Sequence, residues 1–200
     1  EHARRQKRIA AVLRGQTVRV TTPSGTDLEF DVPRDQWFHQ GDGDASKARA
    51  ARARSVRDRQ IELPVGMFGF VPPAKSFEGT LVAPSIWQAG SRVRNATMRF
   101  RRGRAVTMSA AEGTDWLPER VKVIGPDGDK IGAIFFNTNP IESEGGISID
   151  VGSNWEIGGR NRADGMRRMW MRLPDATVTA GDRTIMRDGQ TVSERAMDEI

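Results

Sequence analysis

Few side chains in this sequence can carry hydrolytic or redox chemistry. The chain has two histidines, no cysteine and no tyrosine. His2 lies in a basic N-terminal run, and His39 lies in a polar stretch rich in Gly and Asp. A thiolate nucleophile is therefore excluded, and a Ser–His–Asp arrangement would need His39 as its base. Zinc and iron sites need convergent His, Cys or carboxylate ligands, so the composition indicates no such site.

Carboxylates and glycine pairs are the other residue types that catalytic or phosphate sites use. Carboxylate-only acid–base chemistry needs two placed side chains. Glu142 and Glu144 are candidates, although such a pair more often marks a solvated loop. The glycine pairs at 145–146 and 158–159 lack the Lys-Ser/Thr of a P-loop and the Gly-x-Gly-x-x-Gly of a dinucleotide fold. Sharp turns between strands are the better interpretation of these glycines.

Several segments, taken in order along the chain, resemble one known family. They are SGTDLEF, LPVGMFGFVPP, SFEGTLVAP, IGAIFFNTNP, GGISIDVGSNW, IGGRNR and TVTAGDRTIMRDG. Together they resemble the C-terminal half of the thermophilic metallo-aminopeptidases of the aminopeptidase T type, whose frame the dihydroxypyridine dioxygenases share. The resemblance runs from about Thr17 to about Val192. It implies an α+β, predominantly antiparallel β fold. The family's N-terminal α/β domain would be lacking here or separated from this region.

The resemblance places unsuitable residues where the family holds its metal. The segment LPVGM ends in Met67 where the family has a ligand Glu. Ala133 stands at the position of a Glu or His that precedes Thr-Asn-Pro, and the His after Gly-Gly falls near Ser148. A hard-cation site built from oxygens is conceivable. Asp150 and Glu156 are the nearest carboxylates, and they are better interpreted as strand and loop residues.

The last ligand pair of the family allows two alignments. The His-x-Asp pair falls on Met166 and Arg168 without gaps, or on Trp170 and Arg172 with a two-residue insertion. A Tyr beside the family's site corresponds to Trp155. Because a guanidinium is permanently charged, an Arg at a ligand position repels a divalent cation. We therefore expect no metal and no other cofactor.

Apolar and cationic side chains fill these segments instead. Met and Trp surfaces edged by Arg are typical of peptide interfaces. Packing of the same residues in the core is an equally good interpretation, and both stay open. For a binding cleft, an extended peptide would add along a strand edge near Ile147–Val151 and place its acidic groups on the arginines. The candidate peptide-binding residues are Met67, Phe68, Asn137, Asn139, Trp155, Arg160, Asn161, Arg162, Met166, Arg168 and Trp170.

Periodicity and turn signals predict a mostly β chain. Helical spacing of Ile9, Val12 and Leu13, followed by Gly15, predicts a helix over residues 3–14. Predicted hairpins join 17–22 with 27–32, 92–100 with 104–109, and 176–180 with 183–187. Further strands are predicted at 80–83, 131–136 and 147–151, a short helix at 116–123, and a loop at 63–73.

The predicted organisation is one β-rich domain with a basic N-terminal segment. Residues 1–16 form a basic helix or tail, and residues 17–200 form the aminopeptidase-like domain. A polar, basic insert at about 40–60 is expected to be helical or mobile. A length of 200 residues suits a single domain of this kind.

Charge and composition limit the partners. A net charge of +5 and a pI near 10.3 favour an acidic partner. The basic segments 3–19 and 47–59 contain no aromatic residue, so nucleic acid is not the expected partner. The sequence has neither an apolar run of membrane-spanning length nor a signal-peptide core, so no membrane partner is expected. The absence of Cys fits a cytoplasmic protein.

These observations predict a non-catalytic peptide-binding protein on a degenerate metallo-aminopeptidase scaffold, one that presents a precursor peptide to a separate modifying enzyme. Two alternatives stay open. One is an active metal-dependent aminopeptidase or ring-cleaving dioxygenase with displaced ligands, and the other is one half of a heteromeric enzyme. A homodimer is expected because the apolar stretch 63–71 is excessive for a monomer surface and because dimerisation shelters edge strands.

Overall fold

Two antiparallel sheets form the body of the protein in a computed structural model that describes residues 2–55, 57–139 and 146–193. The α-helices are α1 (His2–Leu13), α2 (Lys47–Arg52) and α3 (Trp116–Ile124). The strands are β1 (Thr17–Thr21), β2 (Asp27–Asp31), β3 (His39–Gln40), β4 (Met67–Phe70), β5 (Glu78–Gln88), β6 (Ser91–Arg101), β7 (Arg104–Ser109), β8 (Ile131–Asn137), β9 (Ile147–Gly152), β10 (Arg168–Leu173), β11 (Thr177–Ala180), β12 (Arg183–Arg187) and β13 (Gln190–Thr191). The predicted α+β, predominantly antiparallel β fold is confirmed.

The eight-stranded sheet has the order β13-β12-β11-β1-β2-β5-β6-β7, and the five-stranded sheet has the order β10-β9-β8-β4-β3. Side chains from both sheets meet in one apolar core. In the larger sheet, the alternating sequence of β1 buries Val18 and Val20. Phe30 of β2 stacks on Phe77 with 5.6 Å between ring centroids.

Helix α1 is part of this core rather than a free arm. Its apolar stripe buries Ile9 and Leu13 completely. Gln6, also fully buried, donates through Nε2 to Thr138 Oγ1 at 3.3 Å. The helix ends before Gly15, which has a φ of +75° that suits a glycine at this position. At 12 residues it is longer than α2 or α3, and no helix among the described residues is long and apolar enough to cross a membrane.

The three predicted hairpins, the strands at β8 and β9 and the helix α3 are present. The loop predicted over 63–73 is wrong, because this stretch contains β4. Phe68 and Phe70 of β4 enter the core, while Gly69 lies under the Phe135 ring, where a Cβ would come within 2.2 Å of a ring carbon. A glycine that the sequence suggests as a loop residue is thus required by close packing within a sheet.

The basic insert is partly helical. Ser46 caps α2 by accepting a hydrogen bond from the Arg49 backbone N–H at 3.1 Å. A 3-10 turn follows at Arg57–Arg59. Arg57 reaches the five-stranded sheet, where its guanidinium lies 5.0 Å from the Trp37 ring centroid and donates to the Ile157 carbonyl at 3.4 Å.

Candidate peptide-binding site

Strand β10 divides the Met, Trp and Arg cluster between two environments. Met169, Met171 and Leu173 point into the core and are fully buried. Trp170 is 40% exposed on the opposite face of the sheet, which Arg168 and Arg172 share. The core interpretation is therefore confirmed for Met169 and Met171, whereas Trp170 faces outwards, because successive residues of a strand face opposite ways.

An open cleft of about 730 Å³ lies beside β10. It brings together three of the predicted residues, Met166, Arg168 and Trp170. Met166 adds a second exposed apolar side chain, 53% exposed, to that of Trp170. The remaining lining residues are Gln88, Arg120, Asp164, Gly165 and Arg167. The cleft therefore combines an apolar floor with three guanidinium groups and one carboxylate.

Two of these lining residues come from distant parts of the chain. Gln88, at the end of β5, donates to the Arg168 carbonyl at 2.6 Å. Arg120 of α3 donates to the same carbonyl at 3.3 Å and lies 5.9 Å from the Trp116 ring centroid. These two hydrogen bonds attach the end of β5 and helix α3 to the outer edge of β10. No local sequence signal marks either residue, because both contacts are non-local.

The Arg168 side chain forms ion pairs with two carboxylates. Its Nε lies 2.9 Å from Asp150 Oδ2, and its terminal nitrogen donates to Glu156 Oε1. Asp150 is 1% exposed, and its Oδ1 has no hydrogen-bond partner among the described residues. Burial raises the pKa of Asp150 to about 7, an effect that Arg168 opposes and Glu156 reinforces. The charge of Arg168 is thus largely committed to the protein.

Arg120 and Arg167 form the cationic part of the cleft wall. Arg167 also faces Asp164 at 3.5 Å, but both side chains are more than half exposed. Exposed ion pairs of this kind stabilise a fold little, and they exchange partners at little cost. Asp164 therefore holds the Arg167 guanidinium only weakly.

The predicted asparagines make hydrogen bonds to the backbone. Asn161 Nδ2 donates to the carbonyls of Ile131 and Gly152, each at 2.8 Å, and so ties its loop to β8 and β9. Asn139 Nδ2 donates to the Val65 carbonyl at 2.9 Å. Asn137 accepts a hydrogen bond from the Asn139 backbone N–H at 3.0 Å. These three residues position loops around the sheet.

The other predicted residues lie outside the cleft. Phe68 is fully buried and stacks on Phe38, with 5.0 Å between ring centroids. Trp155 is 55% exposed in a 3-10 turn, and Arg160 is exposed in the loop after it. Met67 packs against a small apolar cluster on the outer face of the five-stranded sheet.

Arg162 is tied to a buried carboxylate. Its backbone N–H donates to Asp127 Oδ2 at 2.8 Å, and Arg104 donates to the other oxygen. Burial alone would raise the pKa of Asp127, but the bonds from Arg162 and Arg104 hold it below its ordinary value. The backbone of Arg162 thus anchors its loop to Asp127, while its side chain is 74% exposed.

The predicted edge strand is wrong. Strand β9 is bonded to β10 on one side and to β8 on the other, so residues Ile147–Val151 offer no edge. The free edge on this side of the sheet belongs to β10. The carboxylates Glu142 and Glu144 lie outside the described residues.

The positions that correspond to the family's metal ligands do not fit a metal. Met67 and Ala133 belong to an apolar cluster with Phe135 and Ile157 on the outer sheet face. Ser148 pairs across the strands with Arg172. A thioether, a methyl group, a hydroxyl and a guanidinium do not make a transition-metal site. Among the described residues, no three His, Cys, Asp or Glu side chains are grouped closely enough to hold an ion.

The arrangement of the two sheets is similar to the folds of two solved structures. Wild-type AmpT from Thermus thermophilus matches with a TM-score of 0.69 at 20% identity, over 96% of this chain and 52% of that chain. The 2,5-dihydroxypyridine dioxygenase from Pseudomonas putida KT2440 matches with a TM-score of 0.75 at 16% identity, over 98% of this chain and 60% of that one. The chain thus spans about half the length of the first protein and three-fifths of the length of the second. The resemblance expected from the sequence is confirmed at the level of the fold.

The sequence matches no protein-family model and no curated protein. The two structural neighbours therefore show the fold alone, and a shared fold does not establish a function.

Proposed function

We propose that the protein binds peptides without catalysis and that the cleft beside β10 holds an acidic peptide segment. The observation that carries this proposal is the exposure of Trp170 and Met166 in one cleft with the guanidinium groups of Arg120 and Arg167. Exposed Trp and Met give adaptable apolar contact, and Arg gives a fork for carboxylates. In a cytoplasmic setting, such a protein would present a precursor peptide to a separate modifying enzyme.

The backbone of β10 supports an extended ligand. The Arg167 carbonyl accepts from Ser153 on the β9 side, at 3.0 Å. The Arg168 carbonyl points the opposite way, since it accepts from Gln88 and Arg120. Because the backbone groups of a strand alternate in direction, the N–H and C=O of Trp170 face the free edge as well. A peptide added there would pair with the backbone and place side chains against Trp170.

A binding role fits the donor chemistry better than hydrolysis does. The side chains at the family's ligand positions include no imidazole and no carboxylate. We therefore expect the purified protein to hold no stoichiometric zinc, cobalt or iron after exhaustive dialysis, as measured by elemental analysis. One tightly bound transition metal per chain would contradict this part of the proposal and favour an enzyme with displaced ligands.

The binding itself is tested with a fluorescein-labelled acidic peptide of sequence Leu-Glu-Phe-Glu-Leu and fluorescence anisotropy. We expect Trp170→Ala to weaken binding roughly thirtyfold, which corresponds to about 2 kcal/mol for a buried aromatic anchor. Trp155→Ala makes the same chemical change at an exposed Trp outside the cleft, and it should leave affinity unchanged. Equal effects of the two variants, or no binding by the parent at millimolar protein, would refute the assignment of the cleft.

A further inference from the structure

A column of arginines lies on the solvent face of β6. The buried residues of this strand, among them Val93, Met98 and Phe100, face the core. The alternation changes phase at Asn95, which has a φ of +49°, so that arginines are exposed on both sides of this residue. The exposed arginines of the column are Arg92, Arg94, Arg99 and Arg101. The column contains no lysine, and Arg is the side chain whose planar fork binds phosphate in a bidentate manner.

Little acidic charge offsets this column. Within the described part of the chain, Arg99 and Arg101 take part in no ion pair. Arg94 faces Glu112 at 3.2 Å, but both side chains are about half exposed, so the pair is weak. Glu78, at the level of Arg101, uses Oε1 to accept the Arg102 backbone N–H at 2.7 Å. The strand therefore presents a surplus of positive charge to solvent.

An aromatic ring ends the column. Trp87 of β5 pairs across the strands with Arg92, whose guanidinium lies 4.9 Å from the ring centroid. The Trp87 side chain is 71% exposed, more than any other Trp of the chain, so the core gains little from it. An exposed ring beside a guanidinium is a surface on which a nucleobase stacks.

We propose that the outer face of the β5–β6 hairpin binds single-stranded nucleic acid, with phosphates along the arginine column and a base stacked on Trp87. Alternate residues of a strand are about 7 Å apart, and the strand from Arg92 to Arg101, which is interrupted at Asn95, measures at most roughly 30 Å. That length suits a run of several nucleotides. This proposal differs from the expectation that nucleic acid is not a partner, which rested on the basic segments 3–19 and 47–59.

This surface is separate from the peptide cleft. Gln88, the residue after Trp87, turns the other way and bonds the Arg168 carbonyl. Adjacent residues of the hairpin thus serve opposite faces, and the nucleic-acid proposal does not depend on peptide binding.

Fluorescence anisotropy with a labelled 15-nucleotide oligo(dU) tests the proposal on the whole chain. We expect binding at low salt, with log K falling as log[salt] rises by about 0.7 for each phosphate contact. Arg99→Glu with Arg101→Glu should weaken binding at least tenfold and reduce the slope by roughly 1.4. Trp87→Ala should weaken binding at least fivefold and leave the slope unchanged.

The matched control is Arg160→Glu with Arg187→Glu, which makes the same change in net charge at exposed arginines away from β6. It should reduce affinity far less than the β6 pair. Arg99→Gln with Arg101→Gln repeats the test with a milder change, and thermal unfolding verifies that each variant is folded. Absence of binding at 20 mM salt overturns the proposal. Equal losses of affinity in the β6 double variant and in the control double variant also overturn it. The proposal is likewise overturned if polyglutamate binds as tightly as the oligonucleotide and Trp87→Ala does not weaken that binding.

Discussion

Replacing Asp150 by Asn should make the protein more stable at neutral and alkaline pH. Burial raises the pKa of this carboxyl from 3.8 to about 7 in the folded state. Between these two values the folded state holds a proton that the unfolded state has lost, so stability falls as pH rises from about 4 to about 7. The difference of about three pKa units corresponds to roughly 4 kcal/mol, at about 1.4 kcal/mol per unit. Asn keeps the shape without the charge, so Asp150→Asn should escape this loss.

Urea unfolding of the parent and of Asp150→Asn, measured at intervals from pH 4 to pH 8, tests this reasoning. The two free energies of unfolding should nearly coincide at pH 4, and the variant should gain up to roughly 4 kcal/mol by pH 8. Asp127→Asn is the control of opposite sign, because the pKa of Asp127 is lowered, and it should destabilise the protein at pH 7. Parallel curves for parent and Asp150→Asn would show that Asp150 is ionised in the folded protein at all these pH values. That result would contradict the raised pKa of this carboxyl.

Three further predictions concern packing, loop anchoring and assembly. Met169→Ala should lower the free energy of unfolding by about 2–5 kcal/mol, whereas the neighbouring Trp170→Ala should leave the thermal transition nearly unchanged, as calorimetry would reveal. Asn161→Ala removes two hydrogen bonds to backbone carbonyls and should cost about 1–3 kcal/mol in urea unfolding, and a loss below 0.5 kcal/mol would contradict this anchoring role. Light scattering at micromolar concentration should give about twice the chain mass of 22.2 kDa, and Leu63→Lys, at an 80% exposed apolar residue, should shift it towards the monomer. A parent that is monomeric at high concentration would exclude the dimer.

Local signals in the sequence are sufficient to predict the hairpins. The turns at Gly25, Gly103 and Gly181 adopt positive φ, and strands β1, β2 and β11 beside two of these turns alternate in burial, so turn and strand agree. Strand β4 was missed because Gly69 and the nearby prolines are typical of loops. The requirement for glycine at this position comes from Phe135, which lies 66 residues further along the chain, and no local pattern reveals such a contact.

The candidate site is predictable only in part, because local sequence patterns do not reveal contacts between residues that are distant along the chain. The sequence identified Met166, Arg168 and Trp170, which lie close together along the chain. It did not identify Gln88 and Arg120, which reach the cleft from β5 and α3. The commitment of Arg168 to Asp150 depends on the pairing of β9 with β10, a non-local register. The apolar excess assigned to residues 63–71 was also misplaced, since Phe68 and Phe70 are fully buried.

The alternation along β10 constrains how the cleft can change in evolution. Arg168, Trp170 and Arg172 face outwards only because Met169, Met171 and Leu173 face inwards. A deletion or insertion of a single residue within this strand would exchange the two sets and force guanidinium groups into the core. The chemistry of the cleft can therefore change by substitution at Arg168 and Trp170, or by changes in β5 and α3, which contribute Gln88 and Arg120. A change in the length of β10 would therefore prevent correct folding and could not reshape the cleft alone.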